Sequence, residues 1–174
     1  DMGASGMEVI ANVVVINGEE IIPVAPSVKQ VKDEYGKPTV VWEPAEFALR
    51  FLLPRLKIRR ARTPVALHLT CSTRRMGGQE AVRRLAEACA ETVIVPEGVD
   101  CCGFAGDKGF DTPELNASAL SRLKQQLPVG CEQGYSNSRT CEIGLSRHTG
   151  IPFRSLAYLV DRCYAAPGSA DTGG

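Results

Sequence analysis

The chain has 174 residues, 44% of them hydrophobic, with 20 basic and 20 acidic side chains. That length and apolar content suit one domain with a real core, built as a single unit or as two similar halves. The balanced charge leaves no basic footprint for nucleic acid, and no apolar run reaches the ~18–20 residues that span a bilayer. The opening residues lack the basic start, apolar middle and small-residue exit of a signal peptide. The expectation is therefore a cytoplasmic chain, attached at most peripherally to an inner membrane.

Val13 to Ile16, the pair Asn17-Gly18 and Glu19 to Val24 read as a β-hairpin closed by a tight turn. The polar stretch from Lys29 to Pro38 reads as a loop or linker, so residues 1–38 form an N-terminal segment without evident chemistry. Val40-Val41 suits a short strand. Pro44 then opens a helix with Phe47, Phe51 and Leu52 on its apolar face. Pro64 to Thr70 is a buried strand. Gly78 to Ala90 is a helix with Ala81, Leu85, Ala88 and Cys89 on one face, and Thr92 to Val95 is another strand. Thr112-Pro113-Glu114 starts a helix expected to run to about Leu127. Ser138 caps a helix over Arg139 to Thr149 that Gly150 stops. Ser155 to Tyr164 is the last helix, with Leu156, Leu159, Val160 and Cys163 on its inner stripe. The final residues, 166–174, read as a disordered tail.

Strands alternating with helices imply an α/β fold with a mostly parallel sheet flanked by helices. Ligand sites in such sheets lie beyond the carboxyl ends of the strands. Cys71 closes one expected strand, Cys101 and Cys102 follow the next, and Cys141 opens a later helix. Three distant stretches are thus expected to meet at one sheet edge.

Seven cysteines, at 71, 89, 101, 102, 131, 141 and 163, exceed what packing needs. In a cytoplasmic chain an odd, clustered set points to metal binding or redox chemistry rather than to disulfides. Gly103 lets the backbone turn sharply after the adjacent Cys101 and Cys102. Two vicinal thiolates point in different directions and suit two irons of one cluster. Cys141 near a helix N-terminus is favoured as a thiolate, and Arg74, Arg75, Arg139 and Lys108 can offset thiolate charge. Structural zinc on four thiolates is a rival, although no paired CxxC knuckles are present. A metal-free disulfide at Cys101-Cys102 is another. Cys89 and Cys163 lie on apolar helix faces and read as core. Cys131 is open between an accessory ligand and a loop thiol. His68 reads as a satisfied core histidine, and His148 as structural in the last turn of its helix.

Cys71, Cys101-Cys102-Gly103 and Ser138-x-x-Cys141 resemble the CCG cysteine-rich domain of heterodisulfide reductases and of the iron–sulfur component of glycolate oxidase. The strings HLTCSTRRMG, VDCCGFAGDKGF and GYSNSRTCEIG look most like the C-terminal part of FAD-linked D-lactate (2-hydroxyacid) dehydrogenases. The resemblance covers roughly residues 40–164, which places the cysteine-rich redox domain at 39–165. It implies an iron–sulfur electron-transfer domain, with Cys71, Cys101, Cys102 and Cys141 as ligands and Gly103, Ser138, Arg139 and Lys108 around the cofactor. The family motif ends in CxxC, and Ser138 stands at the first of those cysteines. The resemblance further implies a C-terminal piece of a larger oxidoreductase. FAD and ferredoxin-like clusters would belong to other parts of that parent enzyme. The electron acceptor would be of quinone or cytochrome type. Such a piece is not expected to turn over a hydroxyacid alone, and its cluster is easily lost when the thiolates oxidise.

Overall fold

The computed structural model describes residues 7–10, 13–16, 19–21, 29–32, 36 and 38–165. The chain divides after Pro44 into two compact units. In the first, β1 (Met7–Ile10), β2 (Val13–Ile16) and β3 (Glu19–Ile21) form an antiparallel sheet in that order. Ile16 faces Glu19 and Val14 faces Ile21, the register that a two-residue hairpin loop requires. The turn residues Asn17 and Gly18, and the expected end of the hairpin over 22–24, lie outside the described residues. The linker expected from Lys29 to Pro38 is corrected at both ends. Lys29–Lys32 is strand β4, paired antiparallel with β5 (Pro38–Val41). Its polar composition disguised it, since an antiparallel strand can carry polar residues on a solvated face.

The second unit holds an α/β fold. Its first elements are α1 (Pro44–Phe47), whose first residue closes the preceding unit, a π-helical turn over Ala48–Leu52 and a 3-10 turn over Leu53–Arg55. Phe51 is buried as expected, but Phe47 and Leu52 stay 39% exposed, and Ala45 and Ala48 take the inner positions. The wider π turn breaks the 3.6-residue step on which the expected face was drawn.

The rest runs β6 (Val65–Leu67), α2 (Cys71–Arg75), α3 (Gln79–Cys89), β7 (Val93–Ile94), α4 (Lys108–Asp111), α5 (Pro113–Ala119), β8 (Gln133–Ser136), α6 (Arg139–Thr149), β9 (Phe153–Ser155) and α7 (Leu156–Cys163). The strands form one sheet in the order β7-β6-β8-β9, every pair parallel. Alternation along the strands splits the core in two. Val65, Leu67 and Tyr135 pack with α3 and α7 on one face. Ala66 and Phe153 pack on the other with Val99, Phe104, Leu120, Leu123 and Leu145. Gly134 makes room for the Phe153 ring, which would overlap any Cβ there.

β8 and β9 have no counterpart among the expected strands because they are short, and β8 is polar and glycine-bearing. The helix expected from Pro113 to about Leu127 ends at Ala119, and only a 3-10 turn over Lys124–Gln126 follows. Breaking it turns both Leu120 and Leu123 into the second core, where each is almost wholly buried. The Thr112 side chain makes no cap bond to α5. α6 and α7 fall where expected, with Gly150 in the left-handed region at φ 82°. The tail expected over 166–174 lies outside the described residues. Among the described residues, no helix is long and apolar enough to cross a membrane.

Candidate functional site

The chain leaves β6 for β7 on one side, then returns to pair β8 on the other side of β6. The carboxyl ends of β6 and β8 therefore diverge at a topological switch point, where open parallel sheets form their crevices. Cys71 begins α2 just beyond β6, and Cys141 lies in the first turn of α6 just beyond β8. Cys101 and Cys102 sit in the long connection that follows β7.

Polar side chains stitch this edge together. Thr70 caps α2, its Oγ1 accepting from the Thr73 N–H at 3.2 Å. Asn137 Nδ2 donates to Thr73 Oγ1 at 2.7 Å, joining the β8–α6 connection to α2. Arg74 donates through Nε to the Leu69 carbonyl at 3.3 Å, and its Nη2 lies 3.3 Å from Asp100 Oδ1. That ion pair ties α2 to the residue preceding Cys101, although Asp100 is largely exposed and the pair adds little stability.

The thiols converge unequally. Cys102 and Cys141 are buried, with their Sγ atoms 2.9 Å apart. This is a thiol–thiol contact, well beyond a disulfide's bond of about 2.05 Å, and all seven cysteines are free. Cys101 is exposed, and its Sγ accepts from the Gly103 N–H at 3.3 Å. Cys71 is exposed, and close enough for its charge to act on Cys141. Among the described residues, no three His, Cys, Asp or Glu side chains are grouped to hold a single metal ion.

Hydrogen bonding sets the electrostatics. Cys141 holds the Cys102 thiol down at about 6, helped by the Phe104 and Cys102 backbone N–H groups and by Cys101, against the opposing effect of burial. The same contact with Cys102, then burial, pushes Cys141 far up, while the Ser138 hydroxyl pulls it down. The two sulfurs in contact titrate as one pair, in which the Cys102 thiol is lowered and the Cys141 thiol raised.

Gly103 has φ 70°, and a Cβ there would collide with the Leu115 carbonyl and the Ala119 methyl. Only glycine lets the chain turn away from Cys102 so close to α5. Ser138 stands at the N-cap of α6 without a cap bond, its hydroxyl turned toward Thr140 Oγ1 at 3.4 Å and toward the Cys141 sulfur. Arg139 is exposed and donates to Glu142 Oε2 at 2.9 Å. Lys108 is exposed at the start of α4. Cys131 is buried in the second core, 3.7 Å from the Gln133 carbonyl, and burial raises its thiol. His68, read as a satisfied core histidine, is only half so. Nδ1 meets Ser136 Oγ at 3.2 Å, but the buried Nε2 has no hydrogen-bond partner. Burial, then the Arg74 charge, lowers the ring to about 4, so it is neutral at neutral pH.

Two supporting residues went unread in the sequence. Asn116 donates to the Cys102 carbonyl at 2.6 Å from a buried position on α5. Nothing in its local sequence separates it from a surface asparagine. Gly144 lets α6 approach, because a Cβ there would strike Asn116 Nδ2 and the Phe104 ring. A glycine inside a helix is the signal that was available.

Compared with known proteins, the chain matches no family model, no curated protein and no solved structure at a significant level. What the structure defines is an α/β unit on a parallel sheet, with cysteines in the connections that follow three of its strands and two of their sulfurs in contact.

Proposed function

We propose that this chain is a CCG-type redox module, in which Cys71, Cys101, Cys102 and Cys141 hold an iron–sulfur cluster and relay electrons. The observation that carries the reading is the 2.9 Å contact between Cys102 and Cys141, thiols from two different connections, with Cys71 and Cys101 exposed near them. The donor set suits the group, since thiolates are the usual cluster ligands. The bound cluster would supply one-electron chemistry. Cys102 and Cys141 would anchor it from the buried side, and the exposed Cys71 and Cys101 would close it from the solvent side. Gly103 permits the approach, Ser138 supplies a hydroxyl beside Cys141, and Lys108 and Arg139 would offset the charge of the bound thiolates. In this reading the chain works as the C-terminal part of a 2-hydroxyacid dehydrogenase of D-lactate or glycolate type. FAD and ferredoxin-like domains lie in the parent enzyme, and a quinone or cytochrome accepts the electrons.

A second reading, a metal-free dithiol, is favoured by the same 2.9 Å contact and by the lowered Cys102 thiol. Its pair is Cys102 with Cys141, rather than the vicinal Cys101 with Cys102. Anaerobic reconstitution with iron and sulfide, followed by metal analysis and a visible spectrum, tests both. Broad visible absorption with iron and sulfide, lost in Cys102→Ser and Cys141→Ser, supports the cluster. A colourless protein carrying one zinc, or one that binds no metal and cycles two thiols, overturns it.

A further inference from the structure

Cys89 and Cys163 take no part in the site around Cys102 and Cys141. Cys89 ends α3 and Cys163 ends α7, and the two helices pack on the face of the sheet opposite Cys102. Cys89 comes just before β7, at the amino edge of the sheet, where Ala61 bridges Ala90. Both are buried, Cys89 completely. The Cys163 thiol donates to the Cys89 carbonyl oxygen at 3.0 Å, and the two thiols lie close enough to act on each other.

One of the two borders a cavity. A cavity of about 240 Å³ is lined by Cys163 together with Arg59, Arg60 and Arg162, and no carboxylate lines it. Arg60 is fixed on the Ala90 carbonyl through Nε at 3.2 Å and Nη2 at 2.6 Å. Arg162 Nη1 is fixed on Gln133 Oε1 at 2.7 Å. Both partners are neutral, so both guanidinium charges remain available to a thiolate or to a leaving hydroxide. Cys89, the Ala61 backbone N–H and Arg162 hold the Cys163 thiol down at about 7, against burial, while Cys89 is pushed up. A thiol at the border of an arginine-lined cavity, with a second thiol behind it, suits an attacking and a resolving cysteine.

We propose that Cys163 and Cys89 form a second redox site, a dithiol that hydrogen peroxide entering the arginine-lined cavity converts to a disulfide joining the ends of α7 and α3. The Cys163 thiolate attacks one peroxide oxygen, so an S–O bond forms, the O–O bond breaks and hydroxide leaves to become water. Cys89 then attacks the sulfenic sulfur. The S–S bond forms, the S–O bond breaks, and a second water departs with the Cys89 proton. The dithiol loses two electrons and peroxide gains them. None of this depends on a cluster at the other edge.

The test treats the reduced full chain with one equivalent of peroxide and quenches it by alkylation. Trypsin and Glu-C digestion together isolates Cys89 within 88–91 and Cys163 within 163–174, each without another cysteine. The expected product is a cross-link between those two peptides. In Cys89→Ser, Cys163 should accumulate as a sulfenic acid trapped by dimedone. Arg162→Gln should slow the oxidation several-fold near neutral pH without moving the urea midpoint. The proposal is overturned if Cys89 and Cys163 stay alkylatable while thiols at the other edge oxidise, or if the cross-link forms only in urea. It is also overturned if Cys163→Ser leaves Cys89 oxidation unchanged. Should the serine variants fail to fold, the wild-type map decides alone.

Discussion

Cys102 with Cys141, and Cys89 with Cys163, are two buried thiol pairs at opposite edges and on opposite faces of one sheet. In each pair hydrogen bonding lowers one thiol and raises its partner. Their surroundings differ. The first pair has two exposed cysteines, Cys71 and Cys101, within reach, and sits where loops leave the sheet. The second has no further cysteine beside it among the described residues; it has arginines and two helix ends. A perturbed thiol therefore does not by itself distinguish a cofactor site from a thiol switch. The number of further thiols, and the backbone that presents them, does.

The largest test removes the backbone device of the first pair and leaves the second untouched. Gly103→Ala forces a side chain into the left-handed region and against the Leu115 carbonyl. Strain and overpacking together should cost about 4 kcal/mol. Urea unfolding should show that loss. Alkylation in the native state should expose Cys102 while Cys89 stays protected. Equal exposure of both would mean that the two edges unfold as one unit, and the comparison between them would lose its force.

Next comes His68, which lies between β6 and Cys71. Its ring titrates at about 4 in the folded chain against 6.5 ordinarily. The folded state thus binds fewer protons between those values. Its contribution to stability is fully present above pH 6.5 and is lost as pH falls to 4. The loss amounts to about 3 kcal/mol. Urea midpoints measured from pH 7 to 4 should fall further for wild type than for His68→Gln. Parallel curves would show that the ring is not held neutral.

How much of this was legible beforehand follows chain distance. Cys71, Cys101, Cys102 and Cys141 could be grouped from the sequence because each follows an expected strand or opens an expected helix. The topology that brings Cys71 beside Cys141 rests on β8, whose Gln-Gly-Tyr-Ser sequence carries no strand signature. The helix face of α7 was legible to the residue, since Leu156, Leu159, Val160 and Cys163 keep one 3.6-residue stripe. That the same stripe makes Cys163 meet Cys89 was not, because two apolar-face cysteines look alike whether or not their helices end together. The choice of Cys102 over Cys141 as the charged thiol was likewise hidden, for it depends on backbone donors contributed by the fold.

Asn116→Ala should have a smaller effect. It deletes a 2.6 Å bond to the Cys102 carbonyl and leaves that buried acceptor unpaired. The cost should be about 2 kcal/mol. Cys102 alkylation should speed up, and that of Cys163 should not change. An effect on both pairs would assign Asn116 to general packing rather than to holding Cys102.

The smallest effect separates two serines that look alike in the sequence as helix starts. Ser155 at the head of α7 accepts from the Ala157 N–H at 3.3 Å, so Ser155→Ala should cost about 1 kcal/mol. Ser138 at the head of α6 makes no such bond, its hydroxyl facing Cys141 instead. Ser138→Ala should therefore leave the urea midpoint nearly unchanged while slowing Cys141 alkylation, because its thiol loses the donor that lowers it. A loss of stability in Ser138→Ala matching that of Ser155→Ala would make Ser138 an ordinary cap. The hydroxyl beside Cys141 would then belong to the helix start and not to the thiol pair.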